Sequence, residues 1–226
     1  MSKKAELVGS HFPTIYLTVI SLLQGLALSI IVPNFITYLE IVENPWSHVE
    51  VLPMILMLVI IFIVWHHYAI GIFFLRWFPN IIDTIIPFVI SIGQFYLMSF
   101  LKIETAITDI DVVSWTIGFA IFVMIGSATY FAAFLRIDAD LFTNLMSKAN
   151  AIIHRDSTKK YFLMAGFSVL FQGTFALLIS LLHKESWLVI SLFLLLSHLI
   201  IFEYILIRFV KPHFVKALDE FEEEGN

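Results

Sequence analysis

Six apolar stretches, at about 13–35, 52–75, 81–101, 112–135, 161–183 and 187–209, take up most of the 226 residues of this chain. Each approaches the roughly 20 helical residues needed to cross a hydrocarbon layer about 30 Å thick. In water, runs of this kind would have to be covered on all sides by other protein. The chain has little with which to cover them, since 60% of its residues are hydrophobic and 14% are charged, whereas a soluble domain carries charge at about a quarter of its positions. Lipid is therefore the expected solvent. The predicted fold class is all-α: a polytopic membrane protein folded as a six-helix transmembrane bundle, with residues 1–226 forming a single transmembrane domain.

The first run is too long for a signal-peptide core and has no small-residue cleavage site behind it, so it is expected to be a retained helix. Orientation follows from the basic residues. With the N-terminus inside, Lys3, Lys4, Arg76, Arg136, Lys148, Arg155, Lys159, Lys160, Arg208, Lys211 and Lys216 fall on the inner side, and only Lys102 and Lys184 on the outer. The outer loops are acidic instead, with Glu40, Glu43, Glu50, Glu104, Asp109, Asp111 and Glu185. Both termini are expected to be cytoplasmic, and a bacterial inner membrane is the expected location. The net charge of −5 comes largely from the tail, Asp219 to Glu224, which reads as a solvated end. Trp46, Trp77, Trp115 and Trp187 lie at predicted helix ends, where amphipathic rings favour the headgroup region, and Trp65 lies deeper.

The longest connection contains an amphipathic segment at 137–158, with Leu141, Leu145, Ala149, Ile152 and Ile153 on one face. An internal repeat is suggested by Gln24-Gly25 on the first helix and Gln172-Gly173 on the fifth. His66 and Arg76 on the second helix are likewise matched by His198 and Arg208 on the sixth, ten residues apart in both cases. Three hairpins in parallel orientation would produce such a pattern.

Polar side chains within apolar runs are costly and face protein or water. The expected polar path consists of Ser21, Gln24, Gln94, Ser168 and Gln172; Ser21 and Ser168 belong to small-residue stripes at helical spacing. The competing reading is packing, in which small residues admit close approach and amides bond across helices. The expected buried ionisable cluster is His66, His67, His198 and Glu203. Glu203 has no partner on its own helix, because His198 and Arg208 are each five positions away. It must be protonated or paired with another helix, and His66, His67 and Arg76 stand at matching depth. Opposed histidines also raise a third possibility, a haem or metal protein, although no ligand spacing of the His-x-x-Glu-His kind occurs within a helix.

The absence of cysteine excludes disulfides, thiolate metal sites and thiol catalysis. No nucleophile elbow, phosphate loop, dinucleotide fingerprint or zinc-protease helix occurs, so no catalytic residue, resident metal or cofactor is assigned and an enzyme is not expected. The basic residues are too sparse for nucleic acid and suit anionic lipid headgroups.

Trp65-His66-His67, preceded by an apolar helix and followed by Arg76 and Asp83, resembles the second helix of the endolysosomal and bacterial potassium-leak channels built from six-helix units. Gly25-Leu26-Ala27-Leu28-Ser29 is similar to part of their first helix. The resemblance covers roughly the first hundred residues. The family's arginine and Phe-Ser-Asp signature is replaced here by Thr18-Val19-Ile20-Ser21-Leu22-Leu23-Gln24, so no filter residues carry over. What the resemblance implies is an oligomeric cation channel whose first helices line the pore. The leading expectation is an oligomeric ion channel or small transporter in the lipid bilayer. The alternative is a membrane-embedded subunit that holds a cytoplasmic protein partner through 137–158 and the acidic tail.

Overall fold

The computed structural model describes residues 3–74, 81–102, 111–137, 148–182, 192–205 and 208. Six helices account for nearly all of them: α1 (Lys3–Ile41), α2 (Val51–Phe74), α3 (Ile81–Ser99), α4 (Val112–Arg136), α5 (Lys148–Leu182) and α6 (Leu192–Ile205). No strand occurs among the described residues. Four helical segments are long and apolar enough to cross a membrane: Ile15–Ile41, Val51–Ala69, Val112–Arg136 and Arg155–Leu181. Ile85–Ser99 and Leu192–Ile205 are apolar but shorter.

The outward faces of these helices are greasy. Leu22, Phe62, Ile92, Leu135 and Leu181 are all more than 60% exposed, and many other large apolar side chains join them along all six helices. A soluble monomer rarely exposes contiguous apolar surface on this scale. The chain is thus a membrane protein in which lipid covers what protein does not.

Of the amphipathic segment at 137–158, residues 148–158 are helical and form the first turns of a continuous α5. Nothing between Lys148 and Gly166 interrupts a helix, because that stretch holds neither proline nor glycine. Leu141 and Leu145 lie outside the described residues. Trp115 does sit in the first turn of α4, but it is fully buried and stacked on Phe119 with ring centroids 5.3 Å apart, so it packs inside the bundle rather than against headgroups. Trp46, in the short 3-10 turn Pro45–Ser47, is 68% exposed. Trp77 and Trp187 lie outside the described residues.

Contacts fix the relative direction of neighbouring helices. Tyr16 meets Tyr68 while Ser21, further along α1, meets Trp65, earlier in α2; α1 and α2 are therefore antiparallel. Gly166 faces Phe131 and Gly173 faces Val123 and Met124, which makes α4 and α5 an antiparallel pair too. Gly93 against Phe122 and Gly118 against Leu97 set α3 antiparallel to α4. The Asp111 side chain begins α4 by accepting a hydrogen bond from the Ser114 backbone N–H at 2.9 Å. The hydrogen bonds from Ser114 hold this carboxyl below its usual range. Its capping contribution is therefore present above the ordinary Asp range and fades as pH falls through the depressed value.

The dense apolar core occupies one end of the bundle. Tyr38, Met54, Leu97, Trp115, Ile179 and Leu192, one from each helix, are buried there. α4 and α5 approach closely at Gly173, where an added Cβ would lie 3.0 Å from the Ala120 carbonyl oxygen and closer still to Val123 and Met124. Gly25, which shares the Gln-Gly dipeptide with Gly173, has nothing within 4 Å of the same point. Gly173→Ala should therefore destabilise the bundle by about 1–3 kcal/mol through overpacking, whereas Gly25→Ala should leave it unchanged or slightly more stable. Thermal unfolding in detergent distinguishes them, and equal effects of the two substitutions would contradict the assigned packing.

Candidate functional site

Polar groups that enter the bundle are costly without partners, and among the described residues side chains pair across helices in four places. The first is between α1 and α3, where Gln24 and Gln94 form a reciprocal amide pair: each Nε2 donates to the other's Oε1 at 3.1 Å. Both side chains are buried, Gln94 completely. The second is between α1 and α2, where the Trp65 indole N–H donates to the Ser21 hydroxyl at 3.1 Å. The third is between α5 and α6, where the Ser168 hydroxyl and His198 Nε2 lie 3.0 Å apart. Phe171 and Phe202 flank that imidazole with ring centroids 5.4 and 6.0 Å away.

The fourth place is the most unusual. His67, on α2, touches both the Tyr130 hydroxyl of α4, through Nδ1, and the Glu203 carboxylate of α6, through Nε2. The His67 and Glu203 side chains are only 9% and 13% exposed. Tyr161, on α5, presents its ring to His67 at a centroid distance of 6.4 Å. His67 thereby joins α2 to α4 and α6 by polar contact and to α5 by the Tyr161 ring. A tyrosine donating to Nδ1 leaves the imidazole proton on Nε2, the nitrogen in contact with the carboxylate. Among the described residues no well-directed hydrogen bond reaches either Glu203 oxygen or Nε2 of His66 or His67, so the polar network is incomplete.

This cluster forms part of the wall of a cavity of about 190 Å³ within the bundle. Its apolar wall includes Ile63, Ile90, Val123, Val169 and Leu199, and its polar wall includes His67, Tyr68, Thr129, Tyr130, Arg136 and Gln172. The cavity lies at the opposite end from the dense core, toward the C-terminal end of α4. Glycine contributes at its centre, since Gly126 lines the cavity and comes no nearer to α5 than an ordinary contact with Val169.

The nine residues singled out from the sequence thus separate into distinct places. His67 and Glu203 touch, and the His66 ring stands next to His67 with centroids 6.2 Å apart. His198 belongs to a different pair. Gln172 lines the cavity, whereas Gln24 and Gln94 satisfy each other away from its wall and Ser21 receives Trp65. Sequence reasoning passed over the tyrosines at positions 16, 68, 130 and 161. Their placement in the apolar runs, each a phenol in need of a partner, is the signal that marks them. Thr18, Ser21, Gly25 and Ser29, a small and polar stripe at helical spacing on α1, are all exposed. Among the described residues no group of three potential metal ligands converges. Comparison with protein families, characterised proteins and solved structures finds no match to this chain.

The amide pair makes a sharp energetic prediction. Gln24→Leu or Gln94→Leu alone leaves one buried amide unsatisfied and should cost about 1–3 kcal/mol. The double Leu variant removes both polar groups and should recover most of that loss, which unfolding measurements on all four proteins would reveal as strong coupling. Additive losses would mean that the two amides do not bond.

Proposed function

We propose that this protein is a small transporter with six spans and both termini in the cytoplasm. The substrate site is the cavity, and the element that couples transport to protons is His67–Glu203 with Tyr130. One observation supports this above others: a cavity in a lipid-covered bundle is walled by a half-buried imidazole that contacts both a phenol on the same wall and a half-buried carboxylate from a third helix. An ionisable group in hydrocarbon is expensive, and pairing alone would be met by a single partner. A carboxylate whose partners line a cavity instead feels whatever fills that cavity, which is what coupling requires. The basic-flanked end of the bundle, read as cytoplasmic, holds the cavity, and the other end holds the dense core. That asymmetry suits a carrier resting with its site toward one face.

A second reading is favoured by a separate observation, the outward stripe of Thr18, Ser21, Gly25 and Ser29 on α1. Small residues on an outer face allow a second copy to approach closely. An oligomeric cation channel with α1 lining the pore would place this stripe at its axis.

Proteoliposomes separate the two readings. A carrier should give protein-dependent proton movement under an imposed pH gradient, reduced at least about tenfold by Glu203→Gln and by Tyr130→Phe in protein that still elutes as a monodisperse species. A channel should give voltage-driven cation flux that Gly25→Leu changes together with the oligomeric state in nanodiscs. No flux under voltage or pH gradients would defeat both. A Glu203→Gln variant that moves protons like the wild type would remove the cluster from the mechanism. For the α1 stripe, a monomeric protein whose hydrodynamic behaviour Gly25→Leu leaves untouched would exclude the interface.

A further inference from the structure

The shape of the cavity restricts what it can hold. On α4 its lining includes Val123, Gly126, Thr129, Tyr130, Ala133 and Arg136, a single stripe at helical spacing. From Val123 to Arg136 that stripe spans about 20 Å at 1.5 Å per residue. The opposing wall on α5 runs antiparallel along it: Phe162 lies beside Tyr130 with ring centroids 6.3 Å apart, Val169 beside Gly126, and Gln172 next to Gly173, which meets Val123. The space of about 190 Å³ between these walls is therefore elongated along α4 and α5, a slot whose length suits an extended hydrocarbon chain.

The slot is also chemically polarised. Between its ends the walls are largely aliphatic and aromatic, with Ile63, Ile90, Val169 and Leu199 among them. Arg136 stands at one end and is the only permanently charged side chain among the described residues lining the slot. A guanidinium at the mouth of an apolar slot favours an oxyanion that can take two parallel N–H bonds.

We propose that this slot binds a single-chain amphiphile with an anionic head, its chain lying along α4 and its head at Arg136. This assignment of substrate class rests on the cavity invoked for transport above. Two sources share the chemistry: a free long-chain carboxylate, or one acyl chain of an anionic phospholipid entering from the surrounding leaflet.

Native mass spectrometry of the purified full chain in a neutral maltoside tests this directly. Dodecanoate, dodecanol and dodecyltrimethylammonium serve as probes of equal chain length. Dodecanoate should form a one-to-one adduct about tenfold more readily than the cationic probe, with dodecanol between them. Arg136→Gln should bring carboxylate and alcohol to parity. Gly126→Leu should abolish the adduct by filling the slot. Gly126→Ala, whose Cβ would meet only Val169 at 3.9 Å, serves as the folded control that still binds. Thr129→Leu is a second blocking variant should Gly126→Leu fail to fold. A co-purified phospholipid that dodecanoate displaces would identify the bilayer as the source, and an adduct without one would identify the free carboxylate; either supports the assignment. No adduct, a preference for the cationic probe, or undiminished binding by folded Gly126→Leu or Thr129→Leu would overturn it. Binding is read without flux. A chain that takes up dodecanoate and moves nothing would leave this assignment standing and sink the transport reading, and flux without any adduct would do the reverse.

Discussion

Lipid as solvent is the constraint on which the rest of this structure depends. Between two apolar helices in a bilayer there is little to gain from hiding one aliphatic side chain against another rather than against acyl chains. Register must come from elsewhere, from close packing at small residues and from polar groups that have no alternative partner in hydrocarbon. Both devices are present here. Glycines at 93, 166 and 173 let α4 approach its neighbours, with Phe122, Phe131 and the Ala120 carbonyl oxygen pressed against the space where a Cβ would stand. Polar contacts then join α1 to α2, α1 to α3, α5 to α6, and α2 to both α4 and α6.

That division explains what could be read in advance from the chain and what could not. Helix positions were legible because hydropathy runs and breakers are local: α2, α3 and α4 begin and end within two residues of where composition puts them. The expectation that Glu203 needs a partner from another helix also followed from local reasoning, since no group on its own face could reach it. The identity of the partners did not. His66 and His67 are adjacent in sequence, and only the rotation of α2 in the bundle decides that His67 is the one inserted between Tyr130 and Glu203. The same holds for the glutamines. Gln24 and Gln172 sit in nearly identical local sequences, yet one closes a pair with Gln94 and the other faces a cavity. Repeats in sequence do not carry equivalent surroundings when the neighbouring helices differ.

The basic stretch that opens α5 shows a further limit of local reading. Apolar periodicity places a helix but says nothing about where it stops. Termination needs a cap, a glycine or a proline, and from Lys148 to Gly166 there is none. The segment therefore continues as one rod into the membrane, and Thr158 and Tyr161 are already buried before the last basic residues have been left far behind. Trp115 fails in a related way. An aromatic at a helix end has two suitable environments, the headgroup layer and the interior of a tight helix bundle, and its stacking on Phe119 selects the second.

The ionisable cluster and the cavity are best understood as one object. His67 and Tyr130 each contact the cavity on one side, and His67 presses against Glu203 on the other. Glu203 does not itself line the space and meets it only through the His67 ring. The solvation of a carboxylate set against a single imidazole depends on what stands on the far side of that ring. Here that is a cavity rather than close-packed side chains such as those around Trp115 and Met54.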